Sequence, residues 1–285
     1  MIEQLQALLG NDMLRLHLSA VVLGMIRIGA FATIAPLLGP GVTSPVRFPI
    51  ILALYLPLHP CMVETVRVLG TSTTMDMIML LLIIGKEVLL GVFMGWLVSL
   101  FFYIALSAGT IVDNQRGASM AQTADLLSGA EASPLGSLLF MAAVTLFFVS
   151  GSFTRFMELF YTSFLYWPPS SLLPDLGTQK TAIFAAANVT WMMKQTMLIA
   201  APFMVVALIC DVSLGLINRF APQLNVFILS MPIKSGVCSL LVIFYYTPFL
   251  SHSNGNFDIM NQIIEYMFSF IDPGADMTDP SITEQ

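Results

Sequence analysis

Arg27, Lys86, Glu87, Lys194 and Lys234 each interrupt an otherwise apolar run, and ionisable groups so placed have few kinds of chemistry open to them. They pair within protein or line a water-filled path, because a charge at the centre of a lipid-exposed helix costs about 2.5–3.5 kcal/mol on insertion scales. A lysine near a helix end has a further option, laying its stem along apolar surface while its ammonium stays in water. Prolines and mid-run charges recur in nearly every segment, so the set describes a chain surrounded largely by other protein. Catalytic chemistry has no comparable support. The patterns G-x-S-x-G, H-E-x-x-H, G-x-x-x-x-G-K-[ST] and G-x-G-x-x-G do not occur, and His17, His59 and His252 have no obvious acid or nucleophile at helical spacing. Cys61, Cys210 and Cys238 are odd in number, far apart and set in apolar sequence, which reads as packing and not as a disulfide or metal framework. We read no catalytic residue, no metal ligands and no cofactor.

The other polar concentration is residues 113–136, between two long apolar runs. It opens with Asp113, Asn114, Gln115, Arg116 and Gly117, continues through Asp125 and Gly129, and closes on Ser133-Pro134-Leu135-Gly136. Such a stretch cannot face hydrocarbon, where its backbone groups would go unsatisfied. It faces water, a pore or another protein. Glycines at 117 and 129 permit tight turns and mobility.

The elements that position these groups are helices in a membrane. With 57% apolar and 10% charged residues and a mean hydropathy of +0.85, the chain lies outside the soluble globular range, where about a quarter of residues are charged. The class is an all-α, polytopic membrane protein. No basic patch supports nucleic-acid binding, and four of the seventeen acids fall in an acidic tail, 272–285, expected to be disordered. The N-terminus lacks the basic region of a signal peptide, so the first apolar run is expected to remain as an uncleaved membrane segment.

Residues 14–38 are long enough to span, about 20 apolar residues being needed, and end at a proline and glycine cluster. Residues 46–58 carry Pro49 and Pro57 and read as a short kinked or re-entrant helix packed on protein. Thr73-Thr74-Met75-Asp76 has capping-box form and predicts a helix continuing through Leu106. Within it Gly91, Gly95 and Ser99 recur every four residues, a small-residue stripe on which a second helix can pack closely. Ser133-Pro134 predicts an N-cap followed by proline at the first helical position. The aromatic-rich segment 153–167 suits a helix end at a membrane interface. Apolar runs at 183–210 and 224–250 carry Lys194 and Pro202, then Pro232, Lys234 and Pro248. Phe257, Met260, Ile264, Met267 and Ile271 mark one face of an amphipathic C-terminal helix, 257–271, whose acidic polar face points to a partner groove and not to anionic lipid. Residues 1–256 form the main helical membrane domain in this reading.

The run Asp211-Val212-Ser213-Leu214-Gly215-Leu216-Ile217-Asn218-Arg219-Phe220-Ala221-Pro222-Gln223-Leu224-Asn225-Val226-Phe227, followed by Met231-Pro232-Ile233-Lys234, closely resembles the type III secretion export-apparatus family. That family comprises the injectisome SctT and flagellar FliR proteins. Asp113-Asn114-Gln115-Arg116-Gly117 with Ser133-Pro134-Leu135-Gly136 looks more like the injectisome branch. Arg27-Ile28-Gly29-Ala30-Phe31 with the prolines and glycines from Pro36 to Pro45 is a looser third match.

The resemblance implies a core subunit of an export gate in the bacterial inner membrane, within the secretion-system basal body. One such subunit joins several copies of SctR-like and SctS-like proteins in a hetero-oligomeric cone of kinked helical hairpins, with an SctU-like switch protein associated. Unfolded secreted proteins would pass through it. Residues 113–136 would then project into the passage as a plug, with Asp113, Asn114, Gln115, Arg116, Gly117, Asp125 and Gly129 as its pore or plug residues; the other reading of the stretch is a solvated loop. Arg27, Arg219, Pro222, Asn225 and Lys234 are candidates for intersubunit contacts, local capping being the alternative. A secondary transporter or ion channel with broken helices is the competing function, but it would show matched halves, and no internal match stands out.

Overall fold

The computed structural model describes residues 12–38, 44–71, 77–117, 133–170, 178–221, 223 and 225–271. The expected capping box at 73–76, Asp125, Gly129, Pro222 and the acidic tail lie outside the described residues. Among those described there are helices and no strand. They are α1 (Asp12–Ile34), a 3-10 turn (Pro36–Leu38), α2 (Ser44–Tyr55), a 3-10 turn (Leu56–Leu58), α3 (His59–Thr71), α4 (Met77–Gln115), α5 (Pro134–Val149), α6 (Ser152–Tyr166), α7 (Thr178–Phe220) and α8 (Val226–Ile271). Five are long and apolar enough to cross a membrane, or six if α5 and α6 are one broken span.

Three boundaries differ from the sequence reading, each for a local reason. The segment expected to stop at residue 58 passes Pro57 in a 3-10 turn and continues as α3, so that Pro45–Val68 is one candidate span. Helix α4 runs to Gln115 and not to 106, which places Asp113, Asn114 and Gln115 in its last turn. The amphipathic C-terminal stretch is no separate helix but the end of the 46-residue α8. Its apolar face is covered within the chain: Phe257, Met260, Ile264 and Met267 are buried.

Proline inside α2, α7 and α8 (Pro49, Pro202, Pro232 and Pro248) removes one backbone donor each and frees the carbonyl four residues earlier. Between α5 and α6 the break is sharper. Ser150 N–H still bonds to the Leu146 carbonyl at 2.8 Å, but Gly151 takes φ +77°, a conformation that glycine adopts without a Cβ penalty.

The chain divides into two compact units. The first comprises the chain up to Ser99, Thr154–Thr181 and the chain from Met260. Here α4 lies directly on α1: a Cβ built on Gly91 would strike the Arg27 carbonyl and Ala30, and one on Gly95 would sit 3.0 Å from the Phe31 carbonyl. Ser99 is buried and donates to the Trp96 carbonyl at 2.7 Å. Phe31 packs against Phe156 and Phe160 from α6 at ring separations of 5.2 and 5.0 Å, contacts worth about 0.5–1.5 kcal/mol each beyond their buried area.

The second unit comprises Leu100–Phe153 and Ala182–Ile259. Its aromatic centre is Phe102, Phe147 and Phe257, with Phe102 edge-on to Phe147 at 5.3 Å and Phe147 at 5.1 Å from Phe257. Helices α4 and α5 touch backbone to backbone here, since a Cβ on Gly109 would meet the Gly136 amide nitrogen at 2.5 Å.

Candidate functional site: a buried ion cluster and the neck of the polar stretch

In the first unit the burden of buried charge is met by pairing. Arg27 and Glu87 are both fully enclosed, and the guanidinium grips the carboxylate with two donors, Nε to Oε2 at 2.7 Å and Nη2 to Oε1 at 3.0 Å. This two-pronged geometry suits the planar fork of arginine. Two further donors reach Ser163 Oγ at 3.1 Å and the Trp167 carbonyl at 2.8 Å, and the guanidinium carbon sits 4.0 Å from the centre of the Phe164 ring. Lys86 adds a second cation, 3.2 Å from Glu87 Oε1 and donating to the Pro168 carbonyl at 2.9 Å. One carboxylate thus holds two cations and ties α1, α4, α6 and the chain just after α6 together.

In the second unit the polar stretch begins and ends at a single carboxylate. Asp113, only 2% exposed, accepts through Oδ2 from the Ser133 hydroxyl at 2.5 Å and from the Leu135 N–H at 2.9 Å. Its Oδ1 lies 2.6 Å from Arg116 Nη2. Ser133 in turn accepts from the Gly136 N–H at 2.9 Å, as the N-cap of α5. Two of the free amides at that helix end are therefore satisfied, and the negative charge sits at the positive end of the helix dipole. Helix α4 closes on Gly117, at φ +83°, whose N–H reaches the Asn114 carbonyl at 3.2 Å and whose α-carbon side faces Met231 of α8.

Comparison with known proteins settles what these blocks belong to. Residues 18–260 match the family model described as bacterial export proteins, family 1. The chain belongs to that family. It is 37% identical to Yop proteins translocation protein T of Yersinia pestis over 179 residues, covering 63% of this chain and 68% of that protein. To the surface presentation of antigens protein SpaR of Salmonella typhimurium it is 30% identical over 237 residues, 82% of this chain and 86% of the relative. The flagellar biosynthetic protein FliR of Bacillus subtilis shares 28% over 163 residues, 57% of this chain and 63% of that protein. Within the bacterial export family the chain is therefore of the SctT type, with FliR its flagellar relative. It is an export component of a type III secretion apparatus and a multi-pass membrane protein.

The structure distributes this export protein's sequence-predicted residues among several places. Asp113 and Arg116 meet at the neck, with Asn114, Gln115 and Gly117 on the same turn. Arg27 is enclosed by its own chain, its donors engaged as described. Lys234 pairs with Asp211 at 2.5 Å, joining α8 to α7. Arg219 is exposed in the last turn of α7, where a cation complements the helix dipole, and Asn225 Oδ1 stands 3.5 Å from the Ile228 N–H at the start of α8. Lys194 is exposed.

Sequence reading missed the partners. Ser163, the Trp167 carbonyl and Ser133 as the ligand of Asp113 are 136, 140 and 20 residues from the groups they meet, and no spacing rule reaches that far. Gly136 was read only as part of the Ser133–Gly136 block, and Gly109, against which it packs, was not singled out. The histidines were set aside, yet His17 and His59 come together across 42 residues.

Proposed function

We propose that this chain is a core subunit of the inner-membrane export gate of a type III secretion system, forming part of the pore that unfolded secreted proteins enter, together with its plug. The observation that carries this reading is the neck: Asp113 and Ser133, the two ends of the polar stretch, are held 2.5 Å apart by a hydrogen bond. Residues 113–136 then obstruct the passage until substrate arrives. SctR-like and SctS-like subunits complete the wall and an SctU-like protein associates with it, this chain being present in one copy. Arg219, Pro222 and Asn225, at the α7–α8 connection, are contact residues for those neighbours, and the Lys234–Asp211 pair braces the two helices beside them.

The test removes residues 119–130, leaving Asp113, Arg116, Gly117 and Ser133 in place, and measures ion leak in cells carrying the assembled gate. Leak rises if the loop is the plug. Unchanged conductance with normal assembly overturns the reading.

A further inference from the structure

His17, on α1, and His59, at the start of α3, present Nδ1 and Nε2 to each other at 3.1 Å. Their ring centres are 5.2 Å apart and their planes 25° from parallel. The centre separation exceeds the nitrogen separation by about the two ring radii, so both nitrogens lie near the line joining the rings. The contact is therefore an end-to-end N–H···N hydrogen bond in nearly a common plane, not a face-to-face stack. Nor does it suit two ligands of one metal ion, whose lone pairs converge on a third point instead of on each other. The other nitrogen of His59, Nδ1, is 2.7 Å from the hydroxyl of Tyr55, which is 1% exposed. His17, by contrast, is exposed.

A neutral imidazole has one donor and one acceptor nitrogen, which leaves this string two self-consistent polarities. Either His17 Nδ1–H donates to His59 Nε2 and His59 Nδ1–H donates to the Tyr55 oxygen, or the tyrosine hydroxyl donates to His59 Nδ1 and His59 Nε2–H donates to His17 Nδ1. In the first polarity His17 Nε2 is an acceptor at the exposed end with no hydrogen-bond donor opposite it among the described residues. We propose that His17, His59 and Tyr55 form a proton-binding site that takes up one proton at His17 and shares it between the two rings. The proton balance is simple: as one proton arrives at His17 Nε2, the Nδ1 proton moves across the 3.1 Å contact to His59 Nε2, and the charge then rests on either ring. A second proton would place two N–H donors face to face and break the hydrogen bond between the rings. Histidine chains within apolar helices are a recurrent form of proton relay. The charged groups on the helices carrying the string are Asp12, Arg15 and Arg27 on α1, Arg47 on α2, and Glu64 and Arg67 on α3. Arg27 is held by Glu87, and Glu64 and Arg67 are paired to each other at 3.0 Å. Arg155 and Glu158 stand on α6, whose Tyr161 hydroxyl donates to the Leu54 carbonyl at 3.0 Å.

The test is nitrogen NMR on the full chain, histidine-labelled, in lipid nanodiscs, with His252→Gln removing the only other histidine. Scalar coupling between His17 Nδ1 and His59 Nε2 across the hydrogen bond is expected at neutral pH. Tyr55→Phe should shift the His17 nitrogen signals, because the hydroxyl it removes is bonded to His59 Nδ1 at 2.7 Å and fixes the polarity of the string. On acidification both rings should change together at the first proton, with the coupling kept, and lose it at the second. Absence of coupling in the unaltered string overturns the proposal without recourse to any variant. So do His17 signals indifferent to Tyr55→Phe, or a His59 titration unchanged by His17→Gln.

Discussion

Asp113, in the last turn of α4, caps a helix that begins 21 residues later: its carboxylate accepts the Leu135 N–H at 2.9 Å while holding the α5 N-cap, Ser133, at 2.5 Å. The two helices flanking the polar stretch are thus coupled by a side chain as well as by the Gly109–Gly136 backbone contact.

Replacing Asp113 by alanine leaves a buried amide, a serine hydroxyl and Arg116 without their acceptor. A loss of about 1–3 kcal/mol follows from that desolvation, read as a lowered Tm of the purified protein. Asp113→Asn keeps an oxygen for Ser133 and Leu135, so it should recover more than half of the loss. Equal damage from both substitutions would argue that charge, not capping, is what matters.

Glu87→Ala strands Arg27 and Lys86 in a closed interior. Breaking one side of such a pair costs about 3–5 kcal/mol, enough to abolish accumulation of the protein in membranes. The double replacement Arg27→Met with Glu87→Leu removes both charges and should restore much of the level, leaving Lys86 to account for the remainder. Immunoblotting of membrane fractions across this cycle checks the expectation.

Gly91 and Gly85 lie on the same helix with opposite surroundings. A Cβ at 91 collides with α1 backbone, whereas one at 85 meets nothing within 4 Å. Gly91→Ala should therefore lower thermal stability, and Gly85→Ala should leave it unchanged or raise it by up to about 1 kcal/mol through helix propensity. Thermal melts of the two variants would decide, and a tolerated Gly91→Val would contradict the close α1–α4 approach.

Arg219→Ala tests the proposed contact at the α7–α8 connection. The side chain is exposed and contributes at most a fraction of a kcal/mol to its own helix through the dipole, so the isolated chain should melt normally. Co-purification with SctR-like and SctS-like subunits should fall several-fold. Retention of both partners would remove Arg219 from the interface.

Much of the architecture could be read from residues because lipid imposes a simple rule on composition. Long apolar runs predicted helices at the right places, and the Asp211–Lys234 and Asp113–Gly136 blocks pointed to the right family. Polarity misled where it stood for two things at once. Asp113, Asn114 and Gln115 looked like loop, yet a helix end held by caps is equally polar. Likewise the amphipathic face from Phe257 to Ile271 read as a helix of its own, but His252 to Asn256 lie inside α8, so the helix does not stop before it. Arg27 was legible as a buried charge needing a partner. That the partner is Glu87, 60 residues away, depends on which helices pack together, and neither periodicity nor spacing encodes it.

The lengths of α4, α7 and α8 have a consequence for how the protein is made. With 39, 43 and 46 residues at about 1.5 Å each, these helices have contours of roughly 58 to 69 Å, about twice the roughly 30 Å of hydrocarbon in a bilayer. Lipid cannot clothe their whole length, yet α7 and α8 expose apolar side chains such as Val205, Leu208, Val212, Ile243 and Phe244. Any part of that surface that emerges from the bilayer is exposed apolar area, which calls for a cover of neighbouring protein. The expected consequence is a shorter lifetime for chain made without companions than for chain made beside them, read by pulse-chase in membrane fractions.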